Sequence, residues 1–171
     1  MTNIRRYYRP GSIVFITSVC YQRQPLLKQD TDKELLLSVM REIKADNPYK
    51  MEAYVIMDNH FHWMIKPGGD GNFSAVMQSL KLGFTHLYKA EHGIEGNFVA
   101  WQRRFWDHVI RDEDDLKRHM DYVHYNPVKH GCAGLPLDYP WSSFRAYVAK
   151  EYYAENWGEA EPAEIKRMDF E

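Results

Sequence analysis

A tight β-hairpin is the feature that most constrains the fold of this chain. Residues 51–57, MEAYVIM, and residues 60–66, HFHWMIK, are rich in β-branched, aromatic and other apolar side chains, and only Asp58-Asn59 separates them. So short a polar connection between two such runs predicts two antiparallel strands joined by a turn. We expect residues 60–66 to form a central strand of an antiparallel sheet.

The remaining segments predict two further strands and four helices. Strand composition marks residues 12–20 and 104–111. Helical spacing of apolar side chains marks residues 31–46, 73–90 and 112–126, and a short last helix is predicted at 141–150. The first six elements follow the order β-α-β-β-α-β, which matches the ferredoxin-like arrangement. The predicted fold class is therefore α+β, an antiparallel sheet with helices on one face and the other face open to hold a site.

Local signals predict where two of these helices begin and end. Thr31 followed by Glu34 matches a capping box for the first helix, which Asn47-Pro48 then ends. Asp112 opens the third helix, and Pro127 closes it.

Composition limits the class of protein. The chain has 171 residues, enough for one domain with a core, and no apolar run is long enough to span a membrane. No apolar segment follows the charged start, so no secretory signal is predicted. Cys20 and Cys132 are far apart and lie outside any CxxC motif. We interpret them as reduced thiols of a cytoplasmic protein.

Charge is unevenly distributed along the chain. The net charge of −2 argues against a general nucleic-acid binder. However, residues 1–29 carry five basic residues and no acid, whereas residues 151–171 carry seven acids and two bases. Such an asymmetry can hide a local site for a polyanion. We interpret residues 1–150 as one domain and residues 151–171 as an acidic C-terminal tail.

Two histidines share one face of the predicted central strand. Alternate side chains of a strand point the same way, so Phe61, Trp63 and Ile65 face the helices while His60 and His62 lie side by side on the open face. Two imidazoles so placed can bind one metal ion, although two polar residues on a solvated face would follow the same pattern. We favour metal binding for this His-x-His pair.

The third predicted helix offers a further ligand and a nucleophile. Tyr122 and Asn126 are four residues apart and therefore share one helical face. An amide oxygen of Asn126 can complete a hard-cation site, and a phenol beside such an ion is a candidate nucleophile for a phosphate. The alternative is that Tyr122 is a core aromatic and Asn126 only a helix cap.

Several separated motifs resemble one transposase family. NHFHWMI, WQRRFWDHVIR and MDYVHYNPVKHG, which lie between RRYYRP and YPWSSF, resemble the single-tyrosine HUH transposases, and more narrowly the REP-associated tyrosine transposases of bacteria. The resemblance covers nearly the whole chain and implies a ferredoxin-like fold. It also implies cleavage of single-stranded DNA beside small hairpins, which leaves a 5′-phosphotyrosine and a free 3′-hydroxyl.

The resemblance assigns roles to individual residues. It implies that His60 and His62 bind Mg²⁺ or Mn²⁺, that Tyr122 is the nucleophile and that Asn126 is the third ligand. Relatives in insertion sequences commonly carry glutamine at the position of Asn126, so the third ligand is a departure from their pattern. The alternative function is a non-catalytic hairpin-DNA-binding protein on the same fold.

Two basic and aromatic segments are the predicted DNA contacts. Interleaved cations and flat rings suit phosphates and stacked bases, although a solvated basic edge would have the same composition. The predicted DNA-binding residues are Arg5, Arg6, Tyr7, Tyr8, Arg9, Arg103 and Arg104. The resemblance implies that the partner is single-stranded hairpin DNA of the nucleoid, and we expect a monomer or a homodimer to bind it.

The acidic tail raises two alternatives. Tyr152, Tyr153, Trp157 and Phe170 lie among its acids, and charge plus flat rings imitate single-stranded DNA. One hypothesis is that the tail docks on the DNA-binding surface and competes with substrate. The other is that the tail packs on the core and only stabilises the fold.

Overall fold

One antiparallel sheet organises the part of the chain that the structure describes. A computed structural model describes residues 6–171, whose strands are β1 (Val14–Val19), β2 (Tyr49–Ile56), β3 (His60–Pro67) and β4 (Trp106–Val109). Their order in the sheet is β2-β3-β1-β4, and every neighbouring pair is antiparallel. The predicted hairpin, the central position of β3 and the ferredoxin-like strand order are all confirmed.

Helices cover both faces of this sheet. The helices of the described chain are α1 (Asp30–Glu42), α2 (Phe73–Glu91), α3 (Glu113–Lys129) and α4 (Phe144–Ala149). α1 and α2 pack on the face of Ile16, Trp63 and Ile65, and so bury the apolar side of the hairpin. None of these helices is both long and apolar enough to cross a membrane.

The third helix covers the face that the sequence left open. Met120 and Val123 of α3 pack against Phe15, Val55 and Met64 of the sheet in a second apolar cluster. The two histidines predicted on this face therefore lie between the sheet and α3.

The predicted capping box of α1 is wrong. Helix α1 starts at Asp30, so Thr31 lies within the first turn instead of preceding it, and the N-cap residue is Gln29, which makes no side-chain capping bond. The acids Asp30 and Asp32 lie in that turn, where they favourably face the positive end of the helix dipole.

The predicted end of α3 at Pro127 is also wrong. The helix runs through Pro127 to Lys129, because proline removes one amide donor but leaves its own carbonyl usable. The Pro127 carbonyl accepts a bond from the Cys132 amide, and that of Asn126 accepts one from the His130 amide. Asn126 is therefore an interior residue of the helix and not its cap.

Much of segment 151–171 packs on the core. The Tyr153 ring lies against Phe144 and Trp157, with ring centroids 4.9 and 4.6 Å away. Its buried hydroxyl donates to Asp121 Oδ1 of α3 at 2.8 Å. Ile165 is also buried. These contacts anchor the segment along α3 and α4.

We expect Tyr153→Ala to lower the free energy of unfolding by about 3–5 kcal/mol, because it empties a buried aromatic site. Tyr153→Phe keeps the ring and loses only the bond to Asp121, at a cost of about 1–3 kcal/mol. Urea unfolding measures both changes. Tyr152→Ala, at the exposed neighbouring position, is the matched control, and equal losses at 152 and 153 would contradict the anchoring.

Candidate functional site

Two buried imidazoles form the floor of the site. His60 and His62 are 2% and 0% exposed, and their rings are 5.0 Å apart on the α3 face of β3. The strand register pairs them with Val19 and Thr17 of β1. The period of two along β3 thus produces the predicted pair on one face.

Neighbouring side chains fix the direction of both rings. The Nδ1 atom of His60 lies 2.7 Å from Asn59 Oδ1, and that of His62 lies 2.8 Å from Thr17 Oγ1. Burial, and then the proximity of His62, lowers the pKa of His60 to about 3, and burial also lowers the pKa of His62. Both imidazoles are therefore neutral, and their Nε2 atoms remain available as ligands.

Helix α3 places Tyr122 and Asn126 over these histidines. The Tyr122 ring lies 5.1 Å from the His62 ring, and Asn126 follows one turn later. Within residues 6–171, the buried atoms His60 Nε2, His62 Nε2 and Asn126 Oδ1 have no hydrogen-bond partner. Each of these three atoms belongs to a predicted ligand and can offer a lone pair to a divalent cation. Such a cation would therefore provide the partner that buried polar atoms require.

The other aromatic and histidine residues of this turn serve the core. Tyr125 packs against Trp157. His124 is fully buried, and its Nε2 atom lies 2.8 Å from Ser143 Oγ. The structure therefore separates Tyr122, beside the histidine pair, from Tyr125, which lies against the tail segment.

A glutamate that belongs to no sequence motif also lies in the site. Glu171 Oε1 is 2.8 Å from His130 Nε2 and 3.2 Å from both the Tyr122 hydroxyl and Asn126 Nδ2. The same oxygen is 3.8 Å from His60 Nε2 and 3.7 Å from His62 Nε2. One ligand atom from each of His60, His62 and Glu171 thus lies within 4.8 Å of the other two.

The carboxylate of Glu171 is held in its charged form. Burial alone would raise its pKa, but contacts with His130 and His62, followed by the proximity of His60, hold that pKa well below its usual range. Lys129 Nζ lies 3.6 Å from the same carboxylate. Burial, followed by the charge of Glu171, raises the pKa of the Tyr122 phenol. The acidic composition of the tail was the signal for such a residue, but no local motif marks its position.

The residue before Glu171, Phe170, covers Tyr122. The Phe170 ring lies 5.1 Å from that of Tyr122, and the Phe170 amide donates to the Tyr122 hydroxyl at 3.3 Å. Phe170 also stacks on Trp106 of β4 at 4.5 Å. The last two residues of the sequence therefore occupy the space beside Tyr122.

Two of the seven predicted DNA contacts, Arg6 and Arg103, lie beside the edge strand β4, on the side of α2. Arg6 bonds Asp107 at 2.7 Å and lies over the Phe105 ring at 3.8 Å. Arg103 lines the adjoining pocket together with Lys81, which the sequence analysis missed. Burial, and then the charge of Arg6, lowers the pKa of Lys81 to about 8.

The other predicted contacts are outside this pocket. Tyr7 and Arg9 are exposed, and the Tyr8 hydroxyl donates to Ser74 Oγ at 2.8 Å. Arg104 is also exposed. Arg5 lies outside the described residues. The structure therefore brings the predicted metal ligands and Tyr122 together between β3 and α3, and it places Arg6 and Arg103 at a basic surface beside β4 and α2.

Comparison with known proteins gives one consistent likeness. The family model "Transposase IS200 like" matches residues 12–126, which include the histidine pair, Tyr122 and Asn126. A REP-associated tyrosine transposase of Escherichia coli (strain K12) is 35% identical over 159 residues, covering 92% of this chain and 91% of that protein. A solved REP-associated tyrosine transposase bound to a REP hairpin is 33% identical, covers 99% of each chain and has a TM-score of 0.80.

Proposed function

This chain belongs to the IS200-like transposase family, and from that premise we propose that it cleaves and rejoins single-stranded DNA beside a hairpin. The observation that carries the proposal is the convergence of Tyr122 with the unpartnered atoms of His60, His62 and Asn126. A nucleophile next to a set of hard-cation ligands is suited to phosphodiester chemistry.

Tyr122 performs the covalent step in this proposal. Its hydroxyl oxygen attacks the scissile phosphorus, and the bond from phosphorus to the 3′-oxygen breaks. The phenol loses one proton and the 3′-oxygen gains one, which leaves a 5′-phosphotyrosine and a free 3′-hydroxyl. Because one ester replaces another, a 3′-hydroxyl can reverse the step and join strands without another energy source.

His60, His62 and Asn126 hold the divalent ion in this proposal, through two imidazole nitrogens and one amide oxygen. The family resemblance implies that this ion is Mg²⁺ or Mn²⁺, for which the amide oxygen is a suitable ligand. When bound, such an ion neutralises the scissile phosphate and stabilises the charge that develops on it. Thr17 and Asn59 orient the two imidazoles through their Nδ1 atoms. Lys129, whose Nζ lies 3.5 Å from the Tyr122 hydroxyl, adds a fixed positive charge beside the nucleophile.

The basic surface beside β4 binds the hairpin in this proposal. One pocket is bordered by Arg6, Arg103 and Lys81. Tyr7, which follows Arg6 in the sequence, is exposed. A short stem offers few phosphates, which agrees with a chain whose total charge is only −2. The related solved structure holds a REP hairpin, and we propose the same class of DNA for this chain.

We expect Tyr122→Phe to abolish the covalent adduct while hairpin affinity changes less than about threefold, since only the hydroxyl is lost. Tyr125→Phe is the matched control and should retain the adduct, because Tyr125 packs on Trp157. The measurement is a denaturing gel with a labelled REP hairpin and Mn²⁺ or Mg²⁺.

An adduct that persists in Tyr122→Phe and disappears in Tyr125→Phe would move the nucleophile by about one helical turn. Wild-type protein that binds the hairpin but never forms an adduct would be a non-catalytic hairpin-binding protein.

We expect Thr17→Val to weaken Mn²⁺ binding about 10- to 100-fold, because it removes the group that orients His62 without changing the side-chain volume much. Isothermal titration calorimetry measures the affinity without DNA. Ser18→Ala is the matched control, since Ser18 is equally buried but points to the opposite face of β1. Equal Mn²⁺ affinities in wild type and Thr17→Val would exclude this role, and wild-type affinity in His62→Ala would exclude the metal site.

Phe170 and Glu171 must leave the site before DNA enters, so we propose that they compete with substrate. We call these two residues the tip of the tail. If the tip occupies the site about nine-tenths of the time, the apparent affinity for the hairpin is about tenfold weaker. Phe170→Ala/Glu171→Gln should therefore bind the hairpin about tenfold more tightly and form adduct faster. Glu155→Gln, an exposed acid of the same segment, is the control. Unchanged affinity and rate in the double variant would exclude competition.

A further inference from the structure

Four near-parallel rings lie next to one another, and one of them, Phe170, contacts Tyr122. Phe170 stacks on Trp106 with centroids 4.5 Å apart, and His119 stacks on His108 with centroids 4.6 Å apart. Phe170 and His119 are 5.4 Å apart, Trp106 and His108 are 6.0 Å apart, and the four interplanar angles are between 9° and 20°. The rings therefore form two stacked pairs side by side, and only Phe170 comes from the tail.

Phe170 and Glu171 together have the chemistry of a nucleotide. One residue presents a flat ring, and the next presents an anion to the histidine pair and to the Tyr122 hydroxyl. A nucleotide combines a flat base and an anionic phosphate at similarly close range. If the carboxylate occupies the region of the scissile phosphate, the phenyl ring marks the region of an adjoining base.

We infer that the space over Trp106, now filled by Phe170, is a nucleobase-binding subsite for a nucleotide that adjoins the scissile phosphate. This inference rests on the proposed function and adds a residue, Trp106, to the substrate-binding set. Stacking on an aromatic ring binds any of the four bases, because each has a flat π-face.

The exposure of Trp106 supports this role. The side chain is 41% exposed although Phe170 covers one face, and it lies on the edge strand of the sheet. Its contacts with Phe15, Phe170 and His108 are ring contacts on the site face of β4. A large ring that the core does not enclose is suited to a transient partner.

His119 gives an independent indication that a polar ligand belongs here. Its Nδ1 atom lies 2.8 Å from the Asp115 carbonyl oxygen, so Nδ1 carries the proton and Nε2 is an acceptor. Among the described residues, that buried Nε2 atom has no hydrogen-bond partner, and the neighbouring phenyl ring of Phe170 offers none. The edge of a base carries N–H donors that can satisfy such an acceptor.

The alternation of β4 connects this subsite to the basic surface. Trp106 and His108 face the site, whereas Asp107 faces the other side and bonds Arg6. A single strand that crosses this edge therefore meets cations on one side and the stacking ring on the other.

An abasic scan tests the subsite. The parent protein is the full chain with Tyr122→Phe, which prevents cleavage, and Phe170→Ala, which opens the space over Trp106. The probe is a REP-hairpin oligonucleotide with ten-nucleotide single-stranded flanks on both sides, in which one flank position at a time is abasic. Fluorescence anisotropy measures the affinity of the parent and of the parent with Trp106→Ala.

We expect Trp106→Ala to weaken binding of the intact probe roughly 5- to 150-fold, the range for loss of one base stack. One abasic position should weaken the parent similarly and cause no further loss in Trp106→Ala. Trp106→Tyr should retain most of the affinity, and Tyr152→Ala, an exposed aromatic outside the ring array, should retain all of it. Thermal melting of each variant confirms folding.

Two results would overturn the subsite. One is an affinity of Trp106→Ala equal to that of the parent. The other is that every abasic position weakens Trp106→Ala by the same factor as it weakens the parent, since no base would then depend on Trp106. If wild type still forms the covalent adduct, either result leaves the proposed function standing. A parent that does not bind the intact probe, together with a wild type that forms no adduct, would overturn both.

Discussion

The burial of two uncharged imidazoles between the sheet and α3 is the constraint on which the rest of this structure depends. Each ring is held through Nδ1, by Asn59 for His60 and by Thr17 for His62, so each Nε2 atom is directed away from that partner. A buried polar atom without a partner costs about 1–3 kcal/mol. The fold retains this cost at Nε2 of both rings, which is expected where a ligand binds and unexpected in a core built only for stability.

Glu171 shows that the groups around the histidine pair stabilise an anion. Its carboxylate is stabilised by His130 and Lys129 and lies close to the histidine pair. The segment before it is anchored by Tyr153 and Ile165, so the tip needs little additional order to reach the site. The two alternatives for the tail thus apply to different parts of it: an anchored portion that packs on α3 and α4, and a tip that lies where a substrate phosphate is proposed to bind.

The sequence predicted the parts of the site that depend on local periodicity. The period of two placed His60 and His62 on one face, and the spacing of four placed Tyr122 and Asn126 on one side of α3. The sequence-based prediction failed at two helix ends. Thr31 lies within the first turn of α1 and Pro127 lies within α3, although local signals predicted that they mark the ends of these helices. The prediction also missed Thr17 and Glu171, because their contacts with the site span 45 and 49 residues of chain and arise from strand register and tail packing.

The distribution of charge determines how salt would affect the proposed competition between the tip and DNA. Near Tyr122, Lys129 Nζ lies 3.6 Å and His130 Nε2 2.8 Å from the Glu171 carboxylate in a partly buried site, where salt screens an ion pair weakly. Arg103 of the basic surface is exposed, so salt weakens its attraction for a phosphate more strongly. In the proposed competition, raising the salt concentration therefore weakens the DNA contact of Arg103 before it loosens Phe170 and Glu171. The balance would then shift towards the closed site as salt rises, and hairpin binding at the basic surface is the contribution that would offset the departure of Phe170 and Glu171.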